Sequence, residues 1–185
     1  TCDKLNVYFM PEFLTEKNFI NDFINNKDWI FGLLNGSRDE EFKLKISELF
    51  TLAFENDRIK HNNLHFVTNK EAEMVKMFKN CFLATKVSFC NEMYSICDKL
   101  NISYDTVKDL AVKDIRITDS HTSVPGPDGK FGYGGTCFPK DVSSFIKFAK
   151  KLGIKMNSIE GGWKTNLEVR PEKDWESKIG RSVSE

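Results

Sequence analysis

The chain has 185 residues, 40% hydrophobic and 29% charged, the proportions of a folded soluble domain rather than a disordered segment. Lysine plus arginine and aspartate plus glutamate both number 27, which leaves no net positive charge for phosphate backbones, so nucleic acid is not an expected partner. No apolar run is long enough to span a bilayer and no signal-peptide pattern opens the chain, so a cytoplasmic protein with no membrane partner is expected.

In chain order, Asn6–Phe9 and Asp28–Leu34 are apolar, aromatic strand candidates. Asn35-Gly-Ser37 marks a turn, and Asp39–Phe54 sets apolar residues among charges at helical spacing. His65–Val67 suits another short strand. From about Asn69 to Leu100 there is no glycine or proline, and apolar positions wrap beyond one stripe, which predicts one long scaffold helix capped by Thr68 or Asn69. A second helix fits Ser103–Lys113. Asp119–Thr136 then holds two prolines and five glycines, the composition of a long functional loop. Helix resumes near Pro139 and ends at Gly153, a further helix covers Met156–Val169, and the remainder is expected to be a surface arm.

Five cysteines, Cys2, Cys81, Cys90, Cys97 and Cys137, form an odd set without paired spacing, so reduced thiols are expected. His61, His65 and His121 have no spacing that would gather them around a metal, and none is expected. Cys81, Cys90 and Cys97 lie in the long helix and suit the core. Cys137 differs: it precedes a helix start, where free N–H groups and the helix dipole favour a thiolate. Gly132, Gly134 and Gly135 clear side chains from its approach, Lys140 adds positive charge, and Asp141 lies within the same turn to hold a water or accept a proton.

Phe131-Gly-Tyr-Gly-Gly-Thr-Cys-Phe-Pro-Lys-Asp141 resembles the active-site segment of the UDP-glucose/GDP-mannose dehydrogenase family. Pro11-Glu-Phe-Leu-Thr-Glu16 and Glu73-Met-Val-Lys-Met-Phe-Lys-Asn80 resemble two further segments of it, in the same order. The resemblance implies an α/β fragment followed by a mainly α part: residues 1–67 as the C-terminal portion of a Rossmann-like domain, 68–169 as a helical central domain with the catalytic cysteine and a dimerising long helix, and 170–185 as a C-terminal arm. It implies oxidation of a nucleotide sugar, UDP-glucose to UDP-glucuronate or alternatively GDP-mannose, at the expense of two NAD. Cys137 would form first a thiohemiacetal and then a thioester. Lys76 and Asn80, four apart on one helical face, would stabilise the oxyanion. Asp141 would organise water, and Glu16 would assist thioester hydrolysis.

For substrate, the resemblance implies Glu12, Phe13 and Leu14, the loop residues Asp128, Lys130, Phe131, Gly132, Tyr133 and Gly134, and Arg116, which relatives lend to a neighbouring subunit. It places Lys140 and Glu16 near the NAD and pairs two chains as a homodimer. No Gly-x-Gly-x-x-Gly turn occurs in the sequence, so the NAD-binding half is expected to be missing and the chain to be a partial enzyme. A dimer-forming remnant without activity is the alternative. Met10 stands where relatives carry asparagine, and the loop between Arg116 and Cys137 is longer than in many of them.

Overall fold

The computed structural model describes residues 7–15 and 18–177, arranged in two compact units, Thr1–Lys76 and Met77–Glu185. In the first, helix α1 (Phe19–Ile24) precedes strand β1 (Asp28–Leu33), helix α2 (Asp39–Glu55) and strand β2 (Asn63–Thr68). The strands pair in parallel with Ile30 opposite His65 and Phe31 opposite Phe66, so α2 is the crossover that a parallel pair requires. Trp29, Phe31, Phe50 and Ile59 form the buried centre, packed by Phe42, Ile46, Leu64 and Phe66. Trp29 and Phe31 each meet Phe50 edge-on, at 4.8 and 5.4 Å between ring centroids. The indole N–H of Trp29 donates to the His61 carbonyl at 2.8 Å, which removes the polar cost of burying it.

The strand expected at Asn6–Phe9 does not form over its described part, Val7–Phe9. That segment lies beside β1 through one ladder bond, Gly32 N–H to the Phe9 carbonyl at 2.7 Å. Two further groups go to a side chain, since Asn69 accepts from Phe9 N–H at 3.0 Å and donates to the Val7 carbonyl at 3.1 Å. A Cβ at Gly32 would collide with Asn69, which accounts for the glycine in the middle of a strand. The short α1 has no counterpart among the sequence expectations.

Helix α3 (Asn69–Lys99) begins with a reciprocal cap: Glu71 N–H donates to the Thr68 hydroxyl at 3.2 Å while the Glu71 carboxylate accepts from Thr68 N–H at 2.8 Å. The second unit holds most of α3 together with α4 (Tyr104–Ala111), α5 (Cys137–Lys151) and α6 (Asn157–Val169). Ser103 caps α4 by accepting from Thr106 N–H at 3.2 Å. One core gathers Cys81, Ala84, Tyr133, Val142 and Ile146 with Phe138, Ile159 and Trp163 around them, and a second gathers Cys90, Cys97, Tyr104 and Val124.

Two expectations need correction. Cys137 does not precede α5; it is its first residue, with Thr136 at the cap position, and Pro139 sits buried in the first turn, where a missing N–H costs nothing. Residues 170–177 are not a surface arm. Arg170 and Trp175 are both buried, Trp175 with its ring centroid 5.6 Å from that of Trp163. The charge on Arg170 disguised this, because a buried guanidinium needs partners that are remote in sequence.

Candidate active site

Cys137 is exposed at the start of α5, where the first backbone N–H groups lack intrahelical acceptors. Asp141 lies one turn further along the helix and is 4% exposed. Its carboxylate accepts from the Asn80 amide at 2.6 Å and pairs with the Lys140 ammonium at 3.3 Å. The neighbouring Cys81 is buried, and that burial, with the Asp141 charge adding to it, pushes its thiol up to about 11. Among the described cysteines of the second unit Cys137 is therefore exposed while Cys81, Cys90 and Cys97 are buried, and Cys81 is held protonated.

The loop before Cys137 has several backbone groups bound by side chains from elsewhere in the second unit. Asn166, 0% exposed, accepts from Tyr133 N–H at 2.7 Å and donates to the Tyr133 carbonyl at 3.0 Å. Asn91 accepts from Gly132 N–H at 3.1 Å. Gly132 and Gly135 take left-handed backbone angles, φ +64° and +71°. A Cβ at Gly132 would strike Asn166, and one at Gly134 would strike the Arg170 guanidinium. Of Gly132, Gly134 and Gly135, only the last faces open space. Two of the three glycines thus make room for protein side chains rather than for a ligand.

The family model for the central domain of the UDP-glucose/GDP-mannose dehydrogenase family matches residues 70–168. The chain belongs to this family. It is 33% identical over 164 residues to the UDP-glucose 6-dehydrogenase TuaD of Bacillus subtilis, covering 86% of this chain and 31% of that protein. It is 34% identical over 143 residues to the UDP-glucose 6-dehydrogenase of Pseudomonas aeruginosa, covering 77% and 29%. The solved UDP-glucose dehydrogenase of the archaeon Pyrobaculum islandicum superposes with a TM-score of 0.72 at 28% identity, covering 88% of this chain and 34% of that one. The chain thus spans about a third of the length of these relatives.

The remaining residues implied by the family resemblance fall as follows. Lys76 is the last residue of the first unit, one helical turn before Asn80 on α3. Glu16 lies outside the described residues. Glu12 is exposed and its carboxylate accepts from Leu14 N–H, while Phe13 and Leu14 are half-buried. Asp128 and Lys130 have their charged ends taken up by Arg170 at 2.7 Å and Glu172 at 3.1 Å. Phe131 lays its ring edge-on to Tyr94, 5.2 Å between centroids. Arg116 is exposed and paired with both oxygens of Asp114.

Arg116 also lines a largely apolar cavity of about 470 Å³ between α3 and α4, with Phe82, Phe89, Met93 and Tyr104. Among the described residues no helix is long and apolar enough to cross a membrane. Asn91, Asn166, Arg170 and Asp174 escaped the sequence reading. The available signal was Asn166 on the apolar face of α6, three residues after Trp163 and seven after Ile159, since an asparagine at a core position needs buried partners.

Proposed function

We propose that this chain carries the covalent half of a nucleotide-sugar dehydrogenase, the part whose cysteine holds the sugar while UDP-glucose is oxidised to UDP-glucuronate with NAD as hydride acceptor. The observation that carries this reading is the exposed Cys137 at the first residue of α5, one turn from an Asp141 carboxylate held by Asn80. Sulfur adds to the C6 aldehyde carbon, a C–S bond forms and the thiol proton passes to the aldehyde oxygen, giving a thiohemiacetal. Asn80 supports the developing oxyanion, with Lys76 one turn before it on α3. At the thioester stage a water held at Asp141 attacks the carbonyl carbon, the C–S bond breaks and the proton returns to sulfur. Residues 1–67 are read as the end of a Rossmann-like domain and 68–169 as the central domain. The sequence has no Gly-x-Gly-x-x-Gly turn, and the described residues form a two-stranded sheet. These residues do not build a dinucleotide pyrophosphate site, and no step through NAD is assigned to them.

The reading includes a homodimer through α3. Phe78, Phe82, Phe89 and Ile96 are exposed along it at spacings of four and seven, an apolar face well beyond what isolated surface residues make.

The thiol step is tested without NAD. The chain is mixed with the C6 aldehyde of UDP-glucose, labelled with iodoacetamide and mapped by mass spectrometry. Cys137 should be protected, Asn80→Ala should weaken the protection, and Cys81 should stay unlabelled throughout. Labelling of Cys137 at an unchanged rate refutes the reading.

A further inference from the structure

The segment following α6 is fastened to the loop that leads into Cys137, and the chemistry assigned above gives it no role. Arg170, 2% exposed, donates to Asp174 Oδ1 at 2.7 Å, to Asp128 Oδ2 at 2.7 Å and to the Phe131 carbonyl at 3.3 Å. The second oxygen of Asp174 accepts from Gly135 N–H at 3.3 Å. Lys130 adds its pair with Glu172, and Gly134 passes so close to the guanidinium that no side chain fits there. One planar fork therefore binds positions 128 and 131 directly and position 135 through Asp174, a geometry that the point charge of lysine does not reproduce.

A buried ion pair is weak evidence for a purely stabilising role, because apolar residues of equal volume commonly do as well. What charge and hydrogen bonding supply is register. All three loop positions held by this cluster lie between residues 128 and 135, and the last is two residues before Cys137. Gly135, at φ +71° with open space where a side chain would stand, is the joint between the held loop and the helix start.

We propose that Arg170, acting with Asp174, is the positioning residue of the nucleophile: it fixes the loop register that sets where the Cys137 sulfur stands relative to the Asp141 carboxylate. The inference rests on Cys137 as the nucleophile. It predicts that the arginine side chain governs sugar capture although its hydrogen bonds go to Asp128, Phe131 and Asp174 rather than to Cys137 or Asp141.

The test uses the full chain with Arg170→Lys and, in case that variant folds poorly, Asp174→Asn. Amide hydrogen exchange is read at residues 134–136 and across α3, and Cys137 is titrated with iodoacetamide with and without the C6 aldehyde of UDP-glucose. Exchange at 134–136 should rise roughly tenfold and aldehyde protection of Cys137 should weaken roughly tenfold, with α3 exchange and the silence of Cys81 unchanged. Unchanged exchange at 134–136 overturns the proposal. A rise in exchange across α3 together with labelling of Cys81 also overturns it, because it reveals a general stabiliser. Failure of the enzymatic reading looks different: the wild-type chain then shows no aldehyde protection, while exchange at 134–136 and the bare labelling rate of Cys137 still decide the role of Arg170.

Discussion

Replacing Asn166 by alanine removes the two hydrogen bonds that hold both backbone groups of Tyr133, at 2.7 and 3.0 Å, in a part of the second unit without access to water. An orphaned buried donor or acceptor costs about 1–3 kcal/mol, so the pair should destabilise the unit by about 3 kcal/mol, the carbonyl contributing less than the N–H. For a chain of this size that is a fall in melting temperature of roughly 6–12 °C. Gly132→Ala has two costs: a left-handed backbone, about 1–2 kcal/mol, and a collision between the new Cβ and the Asn166 side chain. In the Asn166→Ala background the collision with Asn166 disappears, while the backbone cost and a tight 3.0 Å approach to Val169 remain. The double-mutant cycle should therefore show coupling of about 1 kcal/mol or more. Native-state hydrogen exchange at the amides of α5 and α6 measures each corner of the cycle. A cost below about 1 kcal/mol for Asn166→Ala would refute the account, because Tyr133 would then have other partners. Additive costs would leave Gly132 explained by its backbone angle and by Val169, without Asn166.

Acid should act on the same loop through Asp128 and Asp174. Burial pushes both carboxyls up, but the Arg170 hydrogen bonds and charge outweigh it and hold both below the usual value of 3.8. A depressed folded value means that their stabilisation is complete above that ordinary value and drains as pH falls through the lower folded ones. Melting temperature should therefore drop more steeply below pH 3.8 in the wild type than in Asp174→Asn, and equal slopes would count against the pairing. The α3 face makes a separate prediction: Phe82→Glu with Phe89→Glu should raise the dimer dissociation constant about 100-fold or more, since buried aromatic anchors carry most of such an interface. Sedimentation velocity would contradict this if the two proteins ran alike.

The helices α2, α3, α4 and α6 were legible because local signals agree: apolar periodicity in all four, absence of glycine and proline in α2, α3 and α4, and capping residues such as Thr68, Glu71 and Ser103. Cys81, Cys90 and Cys97 were placed in the core on the same grounds. The strand expected near Phe9 failed for a non-local reason, because the Asn69 side chain, 60 residues away, takes the bonds a neighbouring strand would have used. The C-terminal arm failed similarly. Arg170, Glu172 and Asp174 look like a solvated run until Asp128, Lys130 and Gly135 are brought to meet them.

The glycines before Cys137 show why motif recognition and physical explanation can part company. Gly-Tyr-Gly-Gly-Thr-Cys points to the family, and the sequence alone suggests that its glycines open a path for the ligand. In the structure Gly132 and Gly134 instead admit Asn166 and Arg170, side chains from outside the motif. A glycine signals only that something approaches the backbone closely; whether it is substrate or protein depends on residues far along the chain. Cys137 stands at the end of a loop gripped by Asn91, Asn166 and Arg170, and that grip leaves Gly135 as the one glycine of the three facing open space. If the sugar reaches the backbone of this loop, Gly135 is where the geometry leaves room for it, so a side chain introduced there should oppose substrate directly, whereas one at Gly132 or Gly134 should first disturb the packing beneath.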